Sequence, residues 1–320
     1  MRRRGLWKRL LTGLLGGALL LLGGCGGEPP AEAAGERGEA VTFTDDLGRE
    51  VTVARPARVA ALIGSFADVW CLAGGAETLV AAADDTWTQF DLGLGEAVVN
   101  LGGVKTPNVE LLLAAEPDFV LGSAKTAANV ELEGLLEQAG IPVAYFDVSS
   151  FSDYLRMLEC CTALTGRPER YAEYGLQVRE QVEAARGRVA GEAPTVLYVR
   201  ATGSSCKVKN SRGTVLGEML ADLGCVNIAD SEESLLETLS MERILAADPD
   251  YIFAVLQGAD PSGAEAMLEA ALLSNPAWGE LTAVQAGRFF LMDQQLYNLK
   301  PNARWGEAYE NLADILYPAP

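Results

Sequence analysis

Histidine is absent from all 320 residues of this chain. With it go Ser-His-Asp and Cys-His nucleophile chemistry and the commonest metal ligand. No CxxC spacing occurs, so a thiolate metal knuckle has no basis in the sequence. There is also no Gly-rich phosphate loop and no G-x-S-x-G elbow. Positive charge is scarce: 25 basic residues stand against 44 acidic ones, and Arg2, Arg3, Arg4, Lys8 and Arg9 crowd the first two dozen positions, which hold no acid. Nucleic acid is excluded as a partner by that balance, because phosphate neutralisation needs a basic face. The acidic excess favours solubility and attraction to basic surfaces.

A long hydrophobic run is missing too. The uncharged, leucine-rich stretch Leu10–Leu22 has 13 residues, short of the roughly 20 that cross a bilayer. Behind a basic start it suits the core of a signal peptide, giving an expected leader over residues 1–24. The sequence Leu22-Gly23-Gly24-Cys25 resembles a bacterial lipobox, which implies lipidation of Cys25. Residues 25–40 (CGGEPPAEAAGERGEA) have almost no large apolar side chain and read as a flexible tether. Two acyl chains would anchor such a protein stably at the outer face of the cytoplasmic membrane. Five cysteines remain after Cys25: Cys71, Cys160, Cys161, Cys206 and Cys225. An odd number leaves at least one thiol unpaired within the chain. Cys206 and Cys225 are candidates for a bridge, although buried structural thiols are the simpler reading.

The chain is organised around Gly166–Gly191. Pro168 suits a first helical turn, and Glu169 complements the helix dipole there. Tyr171, Tyr174, Val178, Val182, Ala185 and Val189 recur at steps of three or four, forming one apolar stripe. The expected helix, Pro168–Val189, would be about 33 Å long at 1.5 Å per residue. On either side β and α patterns alternate, which implies mostly parallel sheets covered on both faces. The expectation is therefore an N-terminal α/β lobe over 41–165, a spine over 166–191 and a C-terminal α/β lobe over 192–320.

Within this alternation, Val41–Val53 signals a hairpin. Strands are expected at Val59–Ile63, Leu79–Ala83, Phe119–Leu121, Val143–Phe146, Thr195–Val199, Tyr251–Val255 and Phe289–Met292. Ser65 is expected to cap a helix over Phe66–Ala73, and a single helix is expected over Val130–Ala139.

One internal repeat links the halves. NVELLLAAEPDFV (Asn108–Val120) and SMERILAADPDYI (Ser240–Ile252) align without a gap. Each opens on a capping residue type, places a glutamate at the second helical position, and ends in acid-Pro-Asp before a buried strand. Glu110 and Glu242 thus occupy matching places. On the residues alone they complement helix dipoles, at about 0.3–1 kcal/mol each, as readily as they serve docking.

Several segments match one known family: RVAALIGSFADVWCLAGGAETLVAA, VVNLGGVKTPNVELLLAAEPDFVLGS and LEQAGIPVAYFDVSSFSDY in the first half, then TVLGEMLADLGCVNIAD, LSMERILAADPDYIFAV and NPAWGELTAVQAGRFFLMD in the second. In order, from about Val41 to Tyr317, they resemble the bacterial ABC-importer substrate-binding proteins for iron-siderophores, haem and cobalamin. The resemblance implies the class III periplasmic-binding-protein fold, two α/β lobes joined by a single spine helix. It also implies a monomer that is not an enzyme, has no resident cofactor, and hands its ligand to an ABC permease dimer driven by an ATPase. One glutamate on each lobe meets arginines of the permease in that family. These fall on Glu110 and Glu242.

Ligands of open α/β sheets sit at the carboxyl ends of the strands. In the loops expected there, cations gather despite the acidic background: Lys105, Lys125, Arg200, Lys207, Lys209, Lys300 and Arg304. Trp87, Tyr297 and Trp305 add flat apolar surface, and Ser65 opens the first such loop. The cleft candidates are accordingly Ser65, Trp87, Lys105, Lys125, Arg200, Lys207, Tyr297 and Arg304. Loop lysines are otherwise solvated, and Trp305 suits packing as well as contact. Cations with aromatic rings suit a ferric siderophore, often anionic and bearing planar chelating groups. A corrinoid or a haem without histidine ligation is the alternative. From other classes, an exported α/β enzyme using Asp84, Asp85 and Asp147 and a surface adhesion module are the rival readings.

Overall fold

The computed structural model describes residues 40–258 and 261–318. The expected leader, Cys25 and the tether lie outside the described residues. The chain opens with an antiparallel hairpin of β1 (Val41–Thr44) and β2 (Glu50–Val53). Five parallel strands follow, β3 (Val59–Ala61), β4 (Leu79–Ala82), β5 (Val99–Asn100), β6 (Phe119–Ser123) and β7 (Val143–Phe146), in the order β5-β4-β3-β6-β7. The second sheet holds β8 (Thr195–Thr202), β9 (Ser205–Lys209), β10 (Val226–Asn227), β11 (Tyr251–Leu256) and β12 (Phe289–Met292). Its parallel path runs β10-β8-β11-β12, with β9 antiparallel on β8. This is the expected α/β architecture of mostly parallel sheets.

Helices cover both faces of each sheet, and the apolar clusters show how. Ala60, Val120 and Tyr145 face one cluster on the first sheet, while Leu197, Ile252 and Ala254 face another on the second. The remaining faces share one cluster. It runs from Phe119 and Phe146 through Val178 and Val182 of the spine to Phe253 and Leu312. The spine is thus a wedge in a continuous core rather than a strut holding two halves apart. Its main partner is the last helix, Trp305–Leu316.

The spine itself differs from expectation in two ways. It is helical from Pro168 to Arg186, and Val189 is 43% exposed beyond its end. Its stripe therefore buries Val178, Val182 and Ala185 only, with Tyr171 and Tyr174 half-buried. A π turn interrupts it at Ala172–Leu176, where Gly175 is buried under the Tyr171 ring. Wide turns of this kind release backbone carbonyls; here the Tyr154 hydroxyl donates to the Tyr174 carbonyl at 2.9 Å.

Other expectations shift for local reasons. The helix after β3 begins at Gly64, so Ser65 lies inside its first turn and caps nothing. The helix expected at Val130–Ala139 is two short ones, Ala127–Val130 and Glu133–Gln138. Ser205–Lys209, expected as loop, is β9, because its alternating pattern pairs along β8. Cys71, Cys160, Cys161, Cys206 and Cys225 are all free thiols, so no Cys206–Cys225 bridge exists. Burial pushes Cys160 and Cys225 up to about 12.

The hairpin turn has a specific task. Asp45 accepts from the Leu47, Arg49 and Tyr145 backbone N–H groups and pairs with Arg49 at 2.6 Å. Asp46 donates its N–H to the Tyr145 carbonyl and accepts from the Asp147 N–H. Together they cap the outer edge of β7, which would otherwise present unpaired groups. Burial alone would raise the Asp45 carboxyl, but the Arg49 side chain and the Arg49 and Tyr145 N–H groups outweigh it and hold the carboxyl below its ordinary 3.8. Such a depressed carboxylate stabilises the fold above its unfolded value and loses that contribution as pH falls through its folded value. Asp45→Asn is expected to cost about 3 kcal/mol at neutral pH. In thermal melts against pH, its deficit relative to wild type should shrink below pH 3.8; a deficit that persists unchanged in acid would show that the ion pair is not its source.

Candidate functional site

The carboxyl ends of the two sheets face one another, and a seam runs between them. On the first half, Gly64 approaches the backbone of Asp85 and Thr86 so closely that a β-carbon would lie 2.7 Å from the Thr86 nitrogen. The Asp85 carboxylate accepts the Gly64 N–H at 2.8 Å. On the second half, the segment after β12 crosses back. Gln294 and Gln295 reach Gln89, and the Asn302 side-chain amide donates to the Ser65 carbonyl and the Asp68 carboxylate, both at 2.8 Å. Asn302 is fully buried with a backbone φ of 53°, a left-handed conformation that asparagine tolerates better than most residues.

The seam encloses two small cavities that share Lys300. One, about 70 Å³, lies between Ser149 on the first half and Tyr198, Arg200, Thr214 and Asn298 on the second. The other, about 190 Å³, lies between Asp68, Gln89 and Asp91 on one side and Pro301 and Arg304 on the other. A larger depression of about 520 Å³ lies away from the seam, between β2 and the start of β7, and is lined by Glu50, Glu133, Glu137 and Arg49.

Charge along the seam is unevenly distributed. Burial raises the Asp85 carboxyl, with Asp84 adding to the rise and Lys300 opposing it. Burial likewise raises Asp68 against its hydrogen bond from Asn302. Lys300 is lowered by burial and by Arg200, although Asp147 and Asp85 pull the other way. The described residues contain six enclosed polar side-chain atoms without a hydrogen-bond partner: Ser65 Oγ, Thr86 Oγ1, Tyr198 Oη, Thr214 Oγ1, Asn302 Oδ1 and Trp305 Nε1. Tyr198 and Thr214 line the smaller cavity, Ser65 and Asn302 meet across the seam, and Trp305 lies in the shared core. Native interiors leave few such groups unpaired, so the two hydroxyls at the cavity are available to a guest.

The expected site residues separate clearly. Arg200 lines the smaller cavity, with one guanidinium N–H on Asn298 at 3.3 Å, and Arg304 lines the larger one while pairing with Glu307 at 2.7 Å. Ser65 is buried at the seam. Trp87 is 39% exposed beside it, on the short helix Asp85–Thr88. Lys105 is exposed on the loop after β5. Lys125 pairs with Asp147 at 3.1 Å and remains 64% exposed, and Lys207 projects from β9. Tyr297 is a correction. Its ring is 3% exposed in the shared core and its hydroxyl donates to the Ala308 carbonyl at 3.1 Å, so it presents no surface to the seam. Trp305 is fully buried as well.

Sequence reasoning missed Tyr198, Thr214 and Asn302. Tyr198 sits in an apolar strand and reads as core. Only the like-charged positions opposite β8 hint otherwise, and they become visible once β9 is recognised as a strand.

Glu110 and Glu242 are both exposed, each at the second position of its helix. The repeat around them is structural as well as sequential. Glu116 and Asp248 both adopt positive φ, 47° and 38°. Asp118 then accepts the Ala57 and Arg58 N–H groups leading into β3, and Asp250 accepts the Thr195 N–H at the start of β8. The capping differs: Asn108 accepts the Leu111 N–H, whereas Ser240 makes no such bond.

Two mostly parallel sheets that meet at their carboxyl ends, with unpartnered hydroxyls and cations between them, form a two-lobed α/β architecture with a polar seam. The sequence matches the family described as "Periplasmic binding protein" over residues 59–296, and the chain belongs to that family. No curated protein matches the sequence. Among solved structures, the apo periplasmic heme-binding protein RhuT from Roseiflexus sp. RS-1 is 22% identical, with a TM-score of 0.66 over 81% of this chain and 97% of its own. Staphylococcus aureus SirA complexed with staphyloferrin B is 20% identical, with a TM-score of 0.66 over 87% of this chain and 97% of its own. The periplasmic vitamin B12 binding protein BtuF of Vibrio cholerae is 20% identical, with a TM-score of 0.64 over 82% and 97%. At these identities the likeness is one of fold.

Proposed function

We propose that the protein is the extracytoplasmic solute-binding component of an ABC importer, capturing a ferric siderophore or related metal chelate between its lobes. It is not an enzyme: it delivers its ligand to a permease dimer coupled to an ATPase, through Glu110 and Glu242. Cys25 carries a lipid that holds it at the outer face of the cytoplasmic membrane, and it works as a monomer without a resident cofactor. The observation that carries the reading is the set of cations at the seam of an otherwise acidic molecule, Arg200 and Lys300 above all. Membership of the periplasmic binding family supports it, as do structural neighbours named for haem, staphyloferrin B and vitamin B12. Haem held by a histidine is excluded, since the chain has none.

Neither seam cavity reaches the roughly 300–1,000 Å³ of ordinary small-molecule sites. A whole chelate therefore requires the lobes to part, and Trp87 at the edge reports that event. Titration with ferric siderophores, cobalamin and haem is expected to quench tryptophan fluorescence saturably for one class, without turnover. Trp87→Phe should remove most of the signal and leave affinity within about threefold. Quenching by none of the panel, or conversion of the ligand, would reject the reading.

A further inference from the structure

The second half of the chain holds a charge arrangement that its own fold leaves unbalanced. In the β8–β9 ribbon, Tyr198 stands opposite Lys209 and Arg200 opposite Lys207. Opposed residues project from the same face, so all four share one side of the ribbon. Like charges directly across a ladder repel. Lys300 adds another cation from the loop after β12. Among the described residues Arg200, Lys207, Lys209 and Lys300 form no ion pair, although the chain has far more acids than bases. Burial lowers Lys209, and Arg200 and Lys207 lower it further.

On this face lies the 70 Å³ cavity. Tyr198 lines it without any solvent exposure, and its hydroxyl has no partner. Thr214 is the N-cap of the helix Val215–Asp222 and makes no side-chain capping bond, and its enclosed hydroxyl is also unpartnered. The start of that eight-residue helix borders the cavity, with Glu218 already engaged by the Gly213 N–H at 2.8 Å. A helix N-terminus presents free N–H groups and partial positive charge.

We propose that this cavity is an oxyanion site, taking one carboxylate or one tetrahedral oxyanion on Tyr198 Oη, the Arg200 guanidinium, Lys300 and the start of the helix Val215–Asp222. Lys207 and Lys209 form its electrostatic rim. The inference rests on the seam being the binding cleft, and it narrows the ligand to an anionic class. The volume admits a single small group. That group is either the anionic arm of a chelate whose body lies over the adjoining seam, or a free oxyanion.

Calorimetric titration of the full chain separates these sources. The probes are inorganic phosphate, sulfate and molybdate as free anions, ferric citrate as a carboxylate-bearing chelate, and ferrioxamine B as a chelate without a free carboxylate. Binding of an inorganic anion identifies the free source; binding of ferric citrate alone identifies the arm. In either case Tyr198→Phe should weaken binding about tenfold or more and Arg200→Gln about a hundredfold. Folding is the control. Tyr198→Phe removes only an unpartnered buried oxygen, so its unliganded Tm should equal or exceed that of wild type. Equal affinity of wild type, Y198F and R200Q for every bound probe overturns the oxyanion site while leaving the solute-binding reading in place. Binding of ferrioxamine B with no response to any oxyanion or carboxylate does the same. Silence from all five probes overturns the site as well, and the fluorescence panel then decides the solute-binding reading separately.

Discussion

Replacing Glu110 and Glu242 together by arginine is expected to abolish uptake of the ligand while leaving its affinity within about twofold. Both side chains are exposed at the second position of their helices. Neither forms an ion pair among the described residues. Losing a favourable helix-dipole interaction costs about 0.3–1 kcal/mol apiece, too little to unfold a domain. Reversing a charge at a docking surface is a larger perturbation, because like charges brought together cost several kcal/mol and also slow encounter. Each single reversal should therefore reduce uptake at least tenfold, and the pair at least a hundredfold. The two halves place these acids alike, with the same left-handed turn and the same Asp-to-strand tie behind each. Transport by the double variant at the wild-type rate would end the docking assignment and leave both glutamates as helix-dipole partners.

Trp305→Ala is the second large expected effect, on stability rather than transport. The indole is fully buried, with ring centroids 6.0 Å from Phe151, 6.5 Å from Tyr154 and 6.2 Å from Tyr309. Phe151 and Tyr154 belong to the helix Phe151–Thr165, before the spine, while Tyr309 belongs to the last helix. Truncation leaves a large cavity where the two halves share a core, and costs about 3–5 kcal/mol. For a protein of this size that lowers Tm by roughly 10 °C. Trp305→Phe should cost far less, because the indole nitrogen has no partner to lose. Since one apolar cluster joins both sheets through the spine, calorimetry should show a single transition in wild type and variant. Two resolved transitions, or a loss below about 1 kcal/mol, would mean that the lobes are held by something other than this core.

Much of the architecture was legible because it rests on local rules. Alternation of apolar strands with amphipathic helices is set by side-chain periodicity, and it placed β3, β4, β6, β7, β8, β11 and β12 within a few residues. The short edge strands β5 and β10 were not legible, since two residues carry no periodicity. β9 was missed because its lysines look like a loop until a partner strand is present.

The site divides along the same line. That cations gather after the strands followed from residue type and position, and Arg200 and Arg304 line the seam cavities. Tyr297 does not, because an aromatic residue in a loop reads alike whether it faces a ligand or the core, and only its burial in the shared apolar cluster, with its hydroxyl on the Ala308 carbonyl, chose the core. The sequence alone determined the absence of histidine chemistry, the acidic balance, the repeat that pairs Glu110 with Glu242, and the order of the seven longer parallel strands, because each is a property of composition or short-range pattern. The tertiary structure decided which cations stand opposite one another, that Tyr198 and Thr214 are left without partners, and that the spine joins the halves in one core. Those outcomes depend on segments nearly 100 residues apart meeting in space, as Arg200 and Asn298 do, and no local pattern fixes such a meeting.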